Sequence, residues 1–190
     1  MRKLSVSTLV TLDGVIQDPG GFGETANGGW AGPYFNADSE QDALEHLRAA
    51  EYFLIGRVTY ELLSKAWGNN NQTAYQNRMN EIPKLVASNT LTGPLPWNAT
   101  AVNGDVAAEI ARLKREPGGE IEVYGSATLV QTLMRHDLID EYRIAVYPIV
   151  LGGGTQLFPQ GAVNATLRLT GTRTLDSGVV SLTYAPKDRS

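Results

Sequence analysis

Residues 121–154 read IEVYGSATLVQTLMRHDLIDEYRIAVYPIVLGGG, and this stretch decides the fold. Ile121, Val123 and Tyr124 form a short apolar, β-prone run that Gly125 stops at a sharp turn. Leu129, Val130, Leu133, Met134 and Leu138 then recur at helical spacing, which predicts a helix with one face on a sheet. The intervening turn, Gly125, Ser126, Ala127 and Thr128 leading into Leu129, combines small side chains with the free N–H groups and positive dipole of a helix start. That chemistry suits a phosphate, although a glycine between strand and helix also serves simply to make a turn. Tyr142, Ile144, Val146, Ile149 and Val150 predict a long strand. Gly152, Gly153 and Gly154 beyond it permit a bulge or a close backbone approach.

The beginning of the chain fits around this unit. Leu4, Val6, Thr8, Val10 and Leu12 alternate with Ser5, Ser7, Leu9 and Thr11, the pattern of a central strand that offers small residues to a ligand. Asp13 interrupts the run early, so it reads as a strand and not as a signal peptide. From Asp13 to Asn36 the chain is rich in glycine turns, and its length suggests a lid or binding loop. Trp30, Tyr34 and Phe35 near its end are expected to wall a pocket for a flat heterocycle, with core packing as the plainer alternative. A helix is expected from Asp38 or Ser39, either of which can cap it, and Ser39 with Asp42 approximates a capping box. Glu40 lies at offsets of about four and seven from Leu44 and Leu47. It is therefore a candidate inward carboxylate able to hold or deliver a proton, against the alternative of an exposed first-turn acid.

A second strand-to-helix turn follows. Tyr52 to Ile55 predict a strand, and Gly56, Arg57 and Thr59 open a helix. Lys84 to Ser88 predict a third strand, with Asn89 next. The polar run GNNNQTAYQN, residues 68–77, reads as a surface excursion, and Asp105 to Glu116 as an amphipathic helix closed by Pro117 and two glycines. Thr166 to Leu175 and Val179 to Ala185 predict a terminal hairpin. Together these elements imply one α/β domain over residues 1–190, with a mixed, mostly parallel sheet, helices on both faces and an antiparallel C-terminal hairpin.

Composition narrows the chemistry. A net charge of −4 argues against a general nucleic-acid binder, so a small-molecule partner is expected. With no cysteine the chain has neither a disulfide nor a thiolate nucleophile, and the separated His46 and His136 suggest no metal site. No apolar run reaches membrane-span length. The expected location is cytoplasmic, where the sequons at Asn71, Asn98 and Asn164 carry no meaning.

The run from Val123 to Gly154, above all LIDEYRIAVYPIVLGGG, resembles the reductase domain of bacterial riboflavin biosynthesis enzymes and, more distantly, dihydrofolate reductase. The resemblance implies a three-layer dihydrofolate-reductase-like fold. It also implies NADPH-dependent reduction of a small heterocycle, similar to that of 5-amino-6-(5-phosphoribosylamino)uracil reductase. Gly56, Arg57 and Thr59 match the Gly-Arg-x-Thr block of dihydrofolate reductases. There the backbone and threonine hold the pyrophosphate, and the arginine reaches the 2′-phosphate. Ser88 and Asn89, followed by no carboxylate, suit NADPH over NADH. Thr8, Leu9 and Ile16 match positions beside the nicotinamide, and Glu40 aligns with the substrate-contacting acid of dihydrofolate reductase. A homodimer built on Tyr142 to Leu151 is implied as well. Two departures stand out: Ser126 and Ala127 replace consecutive glycines in the phosphate turn, and the zinc signature of a deaminase partner domain is absent. Other expectations are a dihydrofolate or other pterin-type reductase, or a non-catalytic nucleotide- or flavin-binding module.

Overall fold

The computed structural model describes residues 1–68 and 72–187. Asn69 to Asn71, part of the expected polar excursion and including the asparagine of one sequon, lie outside the described residues. In chain order the elements are β1 (Leu4–Thr11), α1 (Ala37–Leu47), β2 (Ala50–Gly56), α2 (Arg57–Trp67), α3 (Ala74–Glu81), β3 (Lys84–Ala87) and β4 (Ala99–Val102). They continue with α4 (Val106–Arg115), β5 (Glu120–Tyr124), α5 (Ala127–Arg135), β6 (Glu141–Tyr147), β7 (Leu167–Thr174) and β8 (Val180–Pro186). All eight strands form one sheet in the order β4-β3-β2-β5-β1-β6-β8-β7. The first six strands in that order run parallel, while β8 lies antiparallel to both β6 and β7. The expected fold class is the one observed.

Alternation along the strands builds a core on each side of the sheet, and a third, smaller cluster gathers Trp30, Leu175 and Val179 around Tyr147. Leu4, Val6 and Val10 of β1, with Leu54 and Val123, pack under α4 and α5 through Ile110, Leu113, Val130 and Leu133. Phe53 and Ile55 of β2 point the other way, against Leu47, Leu63, Tyr75 and Met79 of α1, α2 and α3. Each fully buried aliphatic side chain contributes about 1.5–3 kcal/mol, so the two faces fix the register of β2.

The sheet also buries charge. Arg143 of β6 donates to Glu120 at 2.8 Å, Glu122 at 3.1 Å, Glu141 at 2.7 Å and the His46 carbonyl at 3.2 Å. Glu122 is 0% exposed, and burial pushes its carboxyl up to about 8 despite the guanidinium beside it. Lys3 also bridges Glu141 at 2.7 Å, whereas among the described residues Glu122 has only the shared Arg143 as a cation to set against its complete desolvation, which favours the protonated carboxyl.

Several expectations require correction. Helix α1 is capped by Asn36, whose side chain accepts from Ser39 N at 3.0 Å, so neither Asp38 nor Ser39 is the cap. The described part of the polar run is no simple excursion. Thr73 and Gln76 form a capping box for α3, and Tyr75 and Met79, one helical turn apart, are buried. Strand β4 was not anticipated either. Strand β6 ends at Tyr147, short of Leu151, and is paired on both sides, so it has no free edge for a second copy.

Candidate cofactor and substrate cleft

A cleft of about 870 Å³ runs along the carboxyl ends of the parallel strands, where ligands of open α/β sheets bind. Five strand ends supply its floor, β4 through Val102, and the other four bring residues expected from the sequence. Thr8 and Leu9 come from β1, with Ile16 from the loop beyond it. Gly56, Arg57 and Thr59 come from the β2–α2 turn, and Ser88 and Asn89 follow β3. Gly125, Ser126, Ala127, Thr128 and Leu129 form the β5–α5 turn. Strands far apart in sequence meet here because β5 inserts between β2 and β1.

The two glycine turns are built as one unit. Gly125 and Ser126 both adopt the left-handed conformation, at φ 61° and 58°. For serine this carries a strain of about 1 kcal/mol or more. Its hydroxyl offsets that strain by accepting from Gly56 N at 2.9 Å and bonding Thr59 Oγ1 at 2.7 Å. A Cβ on Gly56 would lie 2.9 Å from that hydroxyl, so only glycine allows the two turns to approach. Helices α1, α3 and α4 have side-chain caps from Asn36, Thr73 and Asp105. Helices α2 and α5, which open on the cleft, have none. Their first N–H groups and dipoles are thus left to a ligand. A dinucleotide's diphosphate matches that donor set, and Arg57 at the rim suits a further phosphate. Arg57 otherwise meets Glu61 at 3.3 Å in an exposed pair.

The loop expected to be a lid or a binding loop is a folded wall of the cleft. Asp18, 1% exposed and at φ 51°, accepts from Phe22 N at 2.5 Å, Glu24 N at 3.0 Å and Thr25 N at 3.1 Å. Its carbonyl takes Gly21 N and Gly29 N, and a Cβ on Gly28 would fall 2.0 Å from its carboxylate. Pro19, Phe22 and Glu24 thereby line the cleft. Desolvation and the Asp18 charge raise the Glu24 carboxyl above its usual value. Asp13 ties the glycine loop to β1, accepting from Thr11 Oγ1, Leu151 N and Gly152 N.

The expected substrate aromatics divide. Phe35 lines the cleft, but Trp30 and Tyr34 do not. Both sit edge-on to the fully buried Tyr147, at ring-centroid distances of 5.2 and 5.9 Å, and Trp30 Nε1 donates to the Gln17 carbonyl. They pack the core because Tyr147 supplies an aromatic partner that the local sequence does not reveal. Glu40 is likewise outside the cleft wall. The inward face of α1 is Ser39, Asp42, Ala43, His46 and Leu47, which line a second cavity of about 50 Å³ with Ser7, Tyr147 and Ser181. Thr8, Leu9, Phe35, Tyr75 and Tyr124 belong to both walls, so the small cavity is an annex of the cleft. Neither Tyr75 nor Tyr124 is among the site residues expected from the sequence: Tyr124 reads only as the end of a strand, and nothing local to Tyr75 signals where α3 lies.

A model of the RibD C-terminal domain matches residues 2–181. The chain belongs to that family. Among curated relatives, the uncharacterized protein YyaP of Bacillus subtilis (strain 168) is 28% identical over 187 residues, covering 96% of this chain and 94% of that one. A putative riboflavin biosynthesis protein from Shewanella sp. PV-4 superposes with a TM-score of 0.72 at 24% identity, covering 98% and 99% of the two chains. The diaminohydroxyphosphoribosylaminopyrimidine deaminase/5-amino-6-(5-phosphoribosylamino)uracil reductase of Thermotoga maritima gives 0.66 at 13% identity, with 98% of this chain on 57% of that one. Enterococcus faecalis dihydrofolate reductase, solved with NADP(H), gives 0.63 at 12% identity, covering 98% and 97%. These structural likenesses establish the fold of this RibD C-terminal domain as dihydrofolate-reductase-like. Among its described residues no group of His, Cys, Asp and Glu has a metal-holding arrangement, and no helix is long and apolar enough to cross a membrane.

Proposed function

We propose that this chain is an NADPH-dependent reductase of a small heterocycle, of the kind the riboflavin-pathway resemblance implies. One observation carries the reading: two uncapped helix starts, stitched together by Ser126, face one cleft at the strand ends. NADPH, when bound, supplies the hydride. The chain's own residues then divide the remaining work. The turns at Gly56 and Gly125 hold the diphosphate, while Arg57, Ser88 and Asn89 meet the 2′-phosphate end. Thr8, Leu9 and Ile16 support the nicotinamide, and the wall built on Asp18 excludes water. NADPH oxidation with candidate pyrimidines and pterins tests this. Tight NADPH binding with no oxidation of any candidate would favour a non-catalytic nucleotide-binding module.

The geometry moves the proposed proton-handling acid from Glu40 to Asp42. Asp42 is 8% exposed and lines the annex, and its carboxylate also accepts from the exposed Arg173, outside that lining, at 3.3 Å. Asp42→Asn is expected to lower kcat about tenfold or more with little change in NADPH affinity, whereas Glu40→Gln stays within about twofold. Steady-state kinetics on both variants decides, and the reverse ranking restores Glu40.

A homodimer is also proposed, by way of a face. Tyr142 of β6 is in register with Tyr184, which is in register with Leu169, and Phe158 packs on Tyr142 at 6.4 Å between centroids. Phe158 and Leu169 are 42% and 49% exposed, leaving an apolar strip bare. Light scattering is expected to give twice the chain mass, falling to the monomer in Leu169→Glu. A monomeric wild type rejects the dimer.

A further inference from the structure

The charges around the cleft select among heterocycles. Among its described wall residues only Asp18, Glu24 and Arg57 carry formal charge at neutral pH. Arg57 stands at the α2 turn, the cofactor end. The annex adds Asp42, His46 and Arg143, but the Arg143 guanidinium already serves three carboxylates and a carbonyl. The rim cavity between Val15 and the glycine loop is lined by Gln17, Thr25, Asn27 and apolar or glycine residues, without charge. Once a dinucleotide occupies the two turns and Arg57, the remaining end of the cleft wall holds Asp18 and Glu24, while the nearby Asp42 is already paired with Arg173, so among the described wall residues no cation is left for a phosphate.

We infer that the substrate is a flat heterocycle without a phosphate group, neutral or cationic and rich in hydrogen-bond donors. It thus differs from the phosphorylated pyrimidine in the name of the Thermotoga maritima enzyme. This rests on the reductase reading of the cleft. Phe35 and Phe22 offer apolar faces to a ring, while the Asp42 carboxylate and the Ser39 and Ser181 hydroxyls of the annex offer acceptors to amino or ring N–H groups. A phosphate ester in the same place would lose water and find no unshared cation among the described wall residues to replace it.

The test uses protein loaded with NADP⁺, with loading measured first by its own titration. Ribose 5-phosphate titrated into the loaded protein by calorimetry is expected to show no saturable binding. Within the matched pair 5-amino-6-ribitylaminouracil and its 5′-phosphate, the phosphate is expected to weaken binding about tenfold or more, with the gap closing as salt rises. Glu24→Lys is expected to narrow that gap. Saturable ribose 5-phosphate binding, or tighter binding of the phosphorylated uracil, overturns the inference, and the ribose 5-phosphate result decides where neither uracil binds. A protein that takes up no NADP⁺ instead fails the reductase reading, so the two failures are distinct.

Discussion

Arg57→Ala is expected to weaken NADPH binding about ten- to hundred-fold while leaving NADH nearly unchanged. The guanidinium leads α2 at the cleft rim, next to helix N–H groups that already favour anions, and a hydrogen bond to a charged group is worth about 1.5–3 kcal/mol. NADH has no 2′-phosphate to lose. The side chain is 48% exposed, so the loss should be larger at low salt than at high salt. Glu61 competes for the same guanidinium, and Glu61→Gln is expected to tighten NADPH by about two- to fivefold, the scale of a surface ion pair. Titration of both cofactors by Trp fluorescence or calorimetry checks each result. Equal losses for NADPH and NADH in Arg57→Ala would make Arg57 a support of the turn instead of a phosphate reader.

Glu122→Gln is expected to flatten the alkaline decline in stability. With its carboxyl pushed up to about 8, folded Glu122 keeps its proton well above the pH at which the unfolded chain gives it up. Between those two values the folded state binds more protons, so this group's contribution to stability falls as pH rises and levels off above about pH 8. Each pKa unit corresponds to about 1.4 kcal/mol, and the whole effect should be on the order of 2–5 kcal/mol given the coupling to Arg143. Glutamine keeps an acceptor for Arg143 without the titrating charge. Urea unfolding of wild type and variant from pH 6 to 9 should therefore show the variant gaining relative stability as pH increases. A constant difference across that range would mean that Glu122 is ionised throughout, paired with Arg143.

The two strand-to-helix turns were legible because their signals are local. Gly56 and Gly125 end apolar β-prone runs and begin helical spacing, and the wall of the cleft contains every residue assigned to those turns. The alternation in β1 and the terminal hairpin were equally local, so the fold class followed. Partners distant in sequence decided the rest. Ser126 looked like a departure from a glycine turn, and only the insertion of β5 between β1 and β2 brings its hydroxyl to Gly56, 70 residues away. Trp30 and Tyr34 read as pocket walls until Tyr147, more than a hundred residues later, drew them into the core. Glu40 and Asp42 differ by two positions, about 200° around a helix, and the sequence left that phase open. The docking of α1, with Ser39, Asp42, His46 and Leu47 against the sheet, turned Asp42 inward and left Glu40 outside the cleft. Backbone propensity and periodicity specify elements within a few residues, whereas the side chains that face a ligand depend on how those elements pack.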